Sequence, residues 1–274
     1  MFEYFRPSEV QEALTVLDHT PCSVLAGGTD FYPARVSRPV EEHVLDLSGI
    51  DALRGVRETE DAFYLGALTT WTDVIRADLP PMFDGLKAAA RTVGGVQTQN
   101  AGTLCGNICN ASPAADSVPN LMALDASVQL RSLQGERTLP LQEFILGNRK
   151  TARSPRELVT GLRIPKAPPG TRSRFEKLGA RKYLVISIVM VGVVVEPDAA
   201  GNVGALRIAV GACAPVARRL HALEAEAQGQ PLGDLQVQPR HLQELSPIDD
   251  VRASAAYRSE VVIDLIQRAL DPLR

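Results

Sequence analysis

The stretch that decides the fold is Gly94–Asp116, which reads GGVQTQNAGTLCGNICNASPAAD. It lies between a predicted helix at Gly85–Val93 and an apolar helix that ends near Asp125. The stretch is dense in Gly, Asn, Gln and Thr and shows neither helical nor strand periodicity. Long irregular segments in compact domains are usually functional or disordered. A plain surface loop is the alternative, although apolar Leu104 and Ile108 indicate packing against the domain.

A second glycine-containing loop comes earlier in the chain. The apolar strand predicted at Cys22–Ala26 runs into Gly27-Gly28-Thr29-Asp30, after which a helix is expected. Glycine permits positive φ and lets backbone amides approach a ligand, and successive amides at such a turn form an anion-binding nest. An ordinary tight turn is the alternative. Together, the two loops fit a ligand with a diphosphate bridge better than one with a single phosphate.

The rest of the pattern predicts an α+β chain. Further helices are predicted at Ser8–Asp18 (with a Ser8–Gln11 capping box), Thr70–Arg76, Arg218–Gln228 and Val251–Leu270. Strands are predicted at His43–Leu47, Phe63–Leu68, Ser127–Leu133, Arg137–Leu141, Glu157–Ile164, Arg174–Leu178, Leu184–Val195 and Val203–Gly211. The KAPPG segment at Lys166–Gly170 is the best candidate for a linker between two regions.

Composition and charge argue against several classes of protein. The 274 residues carry a net charge of −3 without a Lys/Arg-rich block, which argues against a nucleic-acid partner. The N-terminus lacks the basic and apolar regions of a signal peptide. The longest apolar run, Leu184–Val195, is too short to span a bilayer. We therefore expect a cytoplasmic protein without a membrane span.

Motifs of self-sufficient catalysis are missing from the sequence. It contains no GxGxxG, P-loop, HExxH or GxSxG motif. No CxxC pair occurs, which predicts free thiols rather than a metal or iron–sulfur site at the four cysteines, Cys22, Cys105, Cys109 and Cys213. We therefore predict no catalytic residue and no metal ligand in this chain. Any chemistry would come from a bound cofactor or a partner.

The two loops resemble those of a known family: the FAD-binding subunits and domains of the xanthine dehydrogenase, carbon monoxide dehydrogenase and 4-hydroxybenzoyl-CoA reductase group. Ala26–Phe31 is similar to the family's AGGT/S-D-L loop. Gly94–Asp116 is similar to its long motif G-x-x-Q-x-R-N-x-G-T-x-G-G-N-I-x-x-A-S-P-x-x-D. The resemblance covers nearly the whole chain, including Phe175–Lys177 with Arg181 and the later pair Tyr257-Arg258.

This resemblance implies an α+β fold in two parts. An FAD-binding domain at residues 1–168 would contain two α/β subdomains, at about 1–55 and 56–168, of the vanillyl-alcohol-oxidase (PCMH-like) type. A C-terminal flavoprotein domain at residues 171–274 would contain a three-stranded sheet packed with helices. The flavin would lie extended between them.

The resemblance also implies which residues bind FAD. The two loops would hold the pyrophosphate, Asp116 would bind sugar or ribityl hydroxyls, Lys177 would lie near the flavin, and Tyr183 would flank its ring. The full set of predicted cofactor-binding residues is Leu25, Ala26, Gly27, Gly28, Thr29, Asp30, Phe31, Tyr32, Val93, Asn100, Gly102, Thr103, Leu104, Cys105, Gly106, Asn107, Ser112, Asp116, Val159, Lys177, Tyr183 and Ile186. From the residues alone, Asp116 is equally a helix cap, Lys177 a surface lysine and Tyr183 a packing residue.

The sequence departs from the family pattern at two places. Cys105 stands where the family usually has glycine, and Thr98-Gln99 replaces the more typical Ile/Val-Arg. A left-handed backbone at Cys105 would be strained, so a position that tolerates a small side chain is the favoured interpretation. The cysteine-bearing insertion of the reductase branch is missing, which predicts no iron–sulfur cluster in this chain.

The implied function is electron transfer rather than substrate chemistry. A large partner subunit with molybdopterin would hydroxylate the substrate, and a small partner with [2Fe–2S] clusters would pass electrons to this flavin. The flavin would reduce NAD⁺, oxygen or another acceptor, within a dimer of heterotrimers. A free-standing FAD-dependent oxidoreductase and a non-catalytic flavin-binding assembly protein are the alternatives. The sequence identifies neither the substrate nor the terminal acceptor.

Overall fold

A computed structural model describes residues 1–36 and 38–273 of the chain. Its N-terminal part contains a three-stranded parallel sheet in the order β1-β3-β2, formed by β1 (Tyr4–Phe5), β2 (Cys22–Leu25) and β3 (His43–Asp46). Helix α1 (Val10–His19) connects β1 to β2. Strand β2 ends at the first glycine loop, as its apolar sequence predicts.

Helix α1 begins later than its sequence predicts. The predicted capping box at Ser8 and Gln11 is wrong, because the N-cap residue is Glu9 and its side chain makes no capping hydrogen bond. Ser8 lies outside the helix, where its amide donates to a Glu12 carboxylate oxygen at 3.0 Å. The helical spacing is confirmed by the residues that the helix buries: Ala13, Leu14 and Leu17.

The helix predicted after the first glycine loop is also wrong. In the described residues that follow Gly28, the chain forms a single 3₁₀ turn at Pro33–Arg35 before it reaches β3. Pro33 lacks an amide hydrogen, so it is tolerated at the start of such a turn but not within a continuous helix. The described residues between β2 and β3 therefore form a proline-containing turn rather than a helix.

The second sheet is antiparallel, with five strands in the order β4-β5-β10-β6-β7. The strands in this part of the chain are β4 (Val56–Glu58), β5 (Ala62–Gly66), β6 (Ser127–Ser132), β7 (Gly135–Pro140), the small hairpin β8 (Ile145–Gly147) and β9 (Lys150–Thr151), and β10 (Leu158–Pro165). Strands β6 and β7 form the hairpin that the sequence predicts around Gln134-Gly135.

Short helices connect β5 to β6 and precede β8. They are α2 (Trp71–Arg76), α3 (Asp84–Thr92), α4 (Val96–Ala101), α5 (Leu104–Asn110), α6 (Ser117–Ala123) and α7 (Leu141–Phe144). Thr70 caps α2 through a capping box with Asp73, as expected. The prediction that the glycine-rich stretch is irregular is wrong, because α4 and α5 both lie within it. Each is too short to produce a helical periodicity.

The C-terminal part contains an antiparallel sheet in the order β11-β12-β13-β14. Its elements are β11 (Arg172–Leu178), β12 (Val189–Pro197), β13 (Val203–Gly211), β14 (Arg218–Arg219), α8 (His221–Ala227) and α9 (Ala255–Leu270). The three predicted strands are present, and β14 adds a two-residue fourth strand where a helix was expected to begin. Strand β12 starts at Val189 rather than Leu184, because Leu184 has a φ of 49° and cannot continue a strand.

Helix α6 joins the two parts by packing on β12 and β13. Glycine makes this contact close: a Cβ at Gly192 would lie 2.7 Å from the backbone of Pro119 and Asn120. A Cβ at Gly211 would lie 3.0 Å from the Pro119 ring. The backbone of the helix therefore rests directly on the C-terminal sheet.

We expect Gly192→Ala to lower the free energy of unfolding by roughly 1–3 kcal/mol, the usual effect of overpacking. Its methyl group would push α6 away from β12. Denaturant unfolding measures the change. The matched control is Gly233→Ala, because a Cβ there meets nothing within 4 Å. Equal stabilities of the two variants would contradict the close contact.

Candidate functional site

A cleft of about 600 Å³ opens where the first sheet meets α5. Its size is within the range of cofactor and ligand sites. Both glycine loops line it, together with the hairpin β8–β9 and the start of β10. The predicted site residues among its lining are Ala26, Gly27, Gly28, Thr29, Asp30, Phe31, Val93, Thr103, Cys105, Gly106, Asn107 and Val159.

The first loop contributes backbone rather than side chains to the cleft. Gly28 has a φ of 72°, in the left-handed region that favours glycine. A Cβ at Gly27 would overlap the carbonyl oxygen of Ala101, so the two loops touch through their backbones. Leu25 is buried beneath the loop, and the ring of Tyr32 lies outside it against Gly28. These two predicted residues do not line the cleft.

The second loop is held by main-chain hydrogen bonds to the start of α2. The amide of Leu104 donates to the Thr69 carbonyl at 3.0 Å, and the amide of Trp71 donates to the Gly102 carbonyl at 3.2 Å. The Thr103 hydroxyl accepts from the Gly106 amide at 3.0 Å and caps α5. This capping function explains why a threonine stands at the position where the loop becomes helix.

Three predicted residues in the first half of the second motif, before Cys105, lie outside the cleft lining. Leu104 is fully buried in the core. Gly102 packs against the Thr29 side chain, and Asn100 accepts a hydrogen bond from the Thr72 hydroxyl at 2.6 Å. These residues therefore shape the loop without facing the cleft. Cys105 lies within α5, so its backbone is helical and the position does not require glycine.

The lining of the cleft also contains residues that the sequence did not single out for this site. Arg149 lies at the tip of the β8–β9 hairpin with a φ of 55°, and its amide donates to the Ala111 carbonyl at the end of α5. Arg153 donates to the Glu157 carbonyl at 2.7 Å. Cys22 of β2 and Cys109 of α5 also line the cleft. No local pattern marks Arg149 and Arg153, because the hairpin brings them to the cleft from a distant segment.

The thiols at the cleft are protonated at neutral pH. Burial raises the pKa of Cys109 to about 11 and that of Cys105 well above its usual value. A thiol, unlike a thiolate, is a poor nucleophile and a poor metal ligand. The cysteines of the cleft therefore contribute packing surface under ordinary conditions.

Asp116 forms a buried polar centre instead of lining the cleft. Its carboxylate accepts hydrogen bonds from Lys177 Nζ at 2.5 Å, Ser187 Oγ at 2.5 Å and Thr92 Oγ1 at 3.2 Å. Asp116 and Lys177 were predicted at the flavin, and the structure brings them together as an ion pair. Thr92 precedes Val93, a residue of the cleft wall, so the Asp116 carboxylate is hydrogen bonded to the residue next to that wall.

The remaining predicted residues lie near this polar centre. Ser112 belongs to the loop before α6, where its hydroxyl accepts from the Ala114 amide at 3.3 Å. Tyr183 and Ile186 lie between β11 and β12 and are 69% and 64% exposed. Neither lines the cleft. Leu184 of the same loop lies against Gly95, which places the loop beside the Val93 end.

The donor set of the cleft fits FAD. Backbone amides of two loops suit a diphosphate, while Ala26, Val93 and Val159 supply apolar surface for rings. Two carboxylates, Asp30 and Glu157, line the cleft, together with the cations Arg35, Arg149 and Arg153. Glu157 is paired with Arg137 in a bidentate contact.

Two other features are absent from residues 1–36 and 38–273. No helix there is both long and apolar enough to cross a membrane. No cluster of three or more His, Cys, Asp or Glu side chains in these ranges could hold a metal ion.

Comparison with known proteins matches both parts of the chain to described families. Residues 1–167 match the FAD binding domain in molybdopterin dehydrogenase, and residues 174–273 match the CO dehydrogenase flavoprotein C-terminal domain. The carbon monoxide dehydrogenase medium chain of Hydrogenophaga pseudoflava is 30% identical, over 98% of this chain and 96% of its own length. The nicotinate dehydrogenase FAD-subunit of Eubacterium barkeri is 33% identical, over 73% of this chain and 70% of its own.

Solved structures agree with these sequence matches. The carbon monoxide dehydrogenase structure from Hydrogenophaga pseudoflava superimposes with a TM-score of 0.87 and covers 98% of this chain and 96% of that one. The enzyme from Oligotropha carboxidovorans gives a TM-score of 0.88 at 26% identity, with 99% and 96% covered. The chain therefore belongs to the family of FAD-binding subunits of molybdenum hydroxylases, as an oxidoreductase component whose cofactor is FAD.

Proposed function

We propose that FAD lies extended along the cleft with its pyrophosphate between the two glycine loops. The observation that carries this proposal is the backbone contact between Gly27 and Ala101, which brings two sets of amides to one place. Backbone N–H groups of consecutive residues in a turn hold phosphate oxygens without a compensating cation. The hydroxyls of Thr29 and Thr103 stand beside these amides as additional polar groups.

The two ends of the cleft suit the two ends of the cofactor. We assign the isoalloxazine ring to the Val93 end, where the Asp116–Lys177 pair and the loop with Tyr183 lie nearby. We assign the adenosine to the other end, beside Arg149 and Arg153, because the planar guanidinium group of arginine stacks on aromatic rings such as adenine. This arrangement uses both parts of the chain, for which we propose domains at residues 1–168 and 171–274.

The bound flavin supplies the electron-transfer chemistry, and the chain positions it. The cleft residues bind the cofactor through amides, keep water from its apolar surfaces and present one end towards the loop at residues 180–186, which is largely exposed. We propose that electrons arrive from [2Fe–2S] clusters of a small subunit and leave to NAD⁺, oxygen or another acceptor. A large subunit would carry the molybdopterin and the substrate site, in a cytoplasmic dimer of heterotrimers.

Gly28→Val and Gly106→Val should each abolish the visible flavin absorbance of the purified protein. The first variant forces a β-branched residue into positive φ against the Tyr32 ring, and the second places a Cβ 2.7 Å from the Thr103 hydroxyl. Absorbance spectra and chromatography of the chromophore released by denaturation measure the loss.

Gly233→Val is the matched control, because its position is open and distant from the loops. It should keep the flavin, and circular dichroism should show all three variants folded. A folded wild-type protein that carries no FAD, and takes up none when FAD is added, would contradict the proposal. Copurification of partner subunits separates the proposed assembly from a free-standing flavoprotein.

FAD should protect Cys109 from alkylation, because the thiol lines the proposed adenosine end. Since its pKa is about 11, the iodoacetamide reaction should be slow at pH 8 and speed up about tenfold per pH unit until the thiol ionises. Mass spectrometry of labelled peptides measures both rates. Cys213 is the control, since burial also raises its pKa to about 11 but it lies outside the cleft. Equal labelling of Cys109 with and without FAD would contradict this orientation.

A further inference from the structure

The guanidinium group of Arg258 is fully buried near the start of α9. Its Nη1 donates to the carbonyl oxygens of Ile188 at 2.5 Å and Ala212 at 2.9 Å. Its Nη2 donates to Asp250 Oδ1 at 2.7 Å. A buried arginine is costly unless it is paired and hydrogen bonded, so these contacts define one fixed arrangement. Ile188 directly precedes β12 and Ala212 directly follows β13, so the ends of both strands are hydrogen bonded to the same side chain.

Asp250 joins Arg258 to a second arginine. Arg252 Nη2 donates to Asp250 Oδ2 at 2.6 Å, and Arg252 Nη1 donates to the Ser187 carbonyl at 2.7 Å. Hydrogen bonding to Arg252 holds the pKa of Asp250 well below its usual range, so the carboxylate stays charged at neutral pH. We call Asp250, Arg252 and Arg258 the arginine clamp.

The arginine clamp reaches the Asp116 carboxylate by two routes. Along the first, it holds the main chain at Ser187 and Ile188, and the Ser187 hydroxyl donates to Asp116. Along the second, it holds Ala212, whose amide donates to the Pro113 carbonyl at 3.0 Å, in the loop that leads to Asp116. Ala212 has a φ of 63°, a strained conformation for alanine that persists only where the surroundings enforce it.

The clamp itself lies away from the cofactor. None of its three residues lines the cleft, and Ser187 is fully buried and does not line the cleft either. The clamp is connected to the Asp116–Lys177 pair through Ser187 and through the segment that contains Pro113. Two opposite charges separated by 2.5 Å produce a local field that depends on their placement.

We propose that the arginine clamp positions Ser187, and through it the Asp116–Lys177 ion pair, and thereby sets the reduction potential of the bound flavin. The inference rests on the proposed function, because it places the isoalloxazine ring at the Val93 end of the cleft. Reduction adds electrons to the flavin, so charges near the ring alter the free energy of that step. The clamp residues are positioning residues, since they act only through this pair.

The test compares Ser187→Ala with Ser173→Ala in the FAD-loaded holoprotein. Ser187→Ala removes one hydrogen-bond donor from the Asp116 carboxylate, which leaves its negative charge less neutralised. The flavin midpoint potential, measured by equilibration with redox dyes, should shift to a more negative value. Ser173 is also buried and bonds to the Gly85 amide at 2.8 Å, without contact to Asp116. Its alanine variant should keep the wild-type potential.

Arg252→Gln tests the clamp at a partly exposed position, where loss of folding is not expected. It should shift the flavin midpoint potential in the same direction, and Arg252→Lys, which keeps a charged donor, should keep a potential close to that of the wild type.

Hydrogen exchange of the amides at residues 179–188 should be about tenfold faster in Ser187→Ala than in Ser173→Ala, as loss of a charge-assisted hydrogen bond predicts.

The outcomes separate this inference from the function on which it rests. A wild-type protein that binds no FAD overturns the proposed function and this inference with it. A protein that binds FAD normally, but keeps one potential in the wild type, Ser187→Ala and Arg252→Gln, overturns the positioning inference alone. Unchanged hydrogen exchange at residues 179–188 also overturns it, whatever the state of the cofactor.

Discussion

The direct backbone contact between the two glycine loops is the constraint on which the cleft depends. Gly27 lies against the Ala101 carbonyl, where any side chain would overlap the opposing main chain. The width of the cleft at this point is therefore set by backbone atoms. The first loop is held in place by β2, which it directly follows, and the second by main-chain hydrogen bonds to Thr69 and Trp71. Rigid support of this kind lets amides bind a ligand without first being ordered.

A buried carboxylate then connects this cleft to the rest of the chain. Asp116 would be strongly destabilising if unpaired, because burial removes the water that solvates its charge. Its partners come from both parts of the chain: Thr92 from the first, Lys177 and Ser187 from the second. The second glycine motif thus ends in a residue that needs the C-terminal sheet. The two parts are joined by this requirement as well as by the apolar contact of α6.

Much of the architecture follows from local pattern, and the errors have identifiable causes. The strand before the first glycine loop, the hairpin at Gln134-Gly135 and the helix capped by Thr70 are confirmed because short-range chemistry decides them. The helix predicted after the first loop is wrong because Pro33 limits the chain to a 3₁₀ turn. Helices α4 and α5 were missed because each is shorter than two turns, too short for a helical periodicity to appear in the sequence.

The sequence by itself determined the family, the cofactor and the two loops that line the cleft, because long ordered motifs of glycine and small polar residues specify backbone geometry directly. Only the tertiary structure decided which of the predicted residues meet. It paired Asp116, directly before α6, with Lys177 of β11 and brought Arg149 to the cleft from a distant hairpin. Such contacts depend on how sheets and helices pack over long sequence separations, and no local spacing in the chain encodes them.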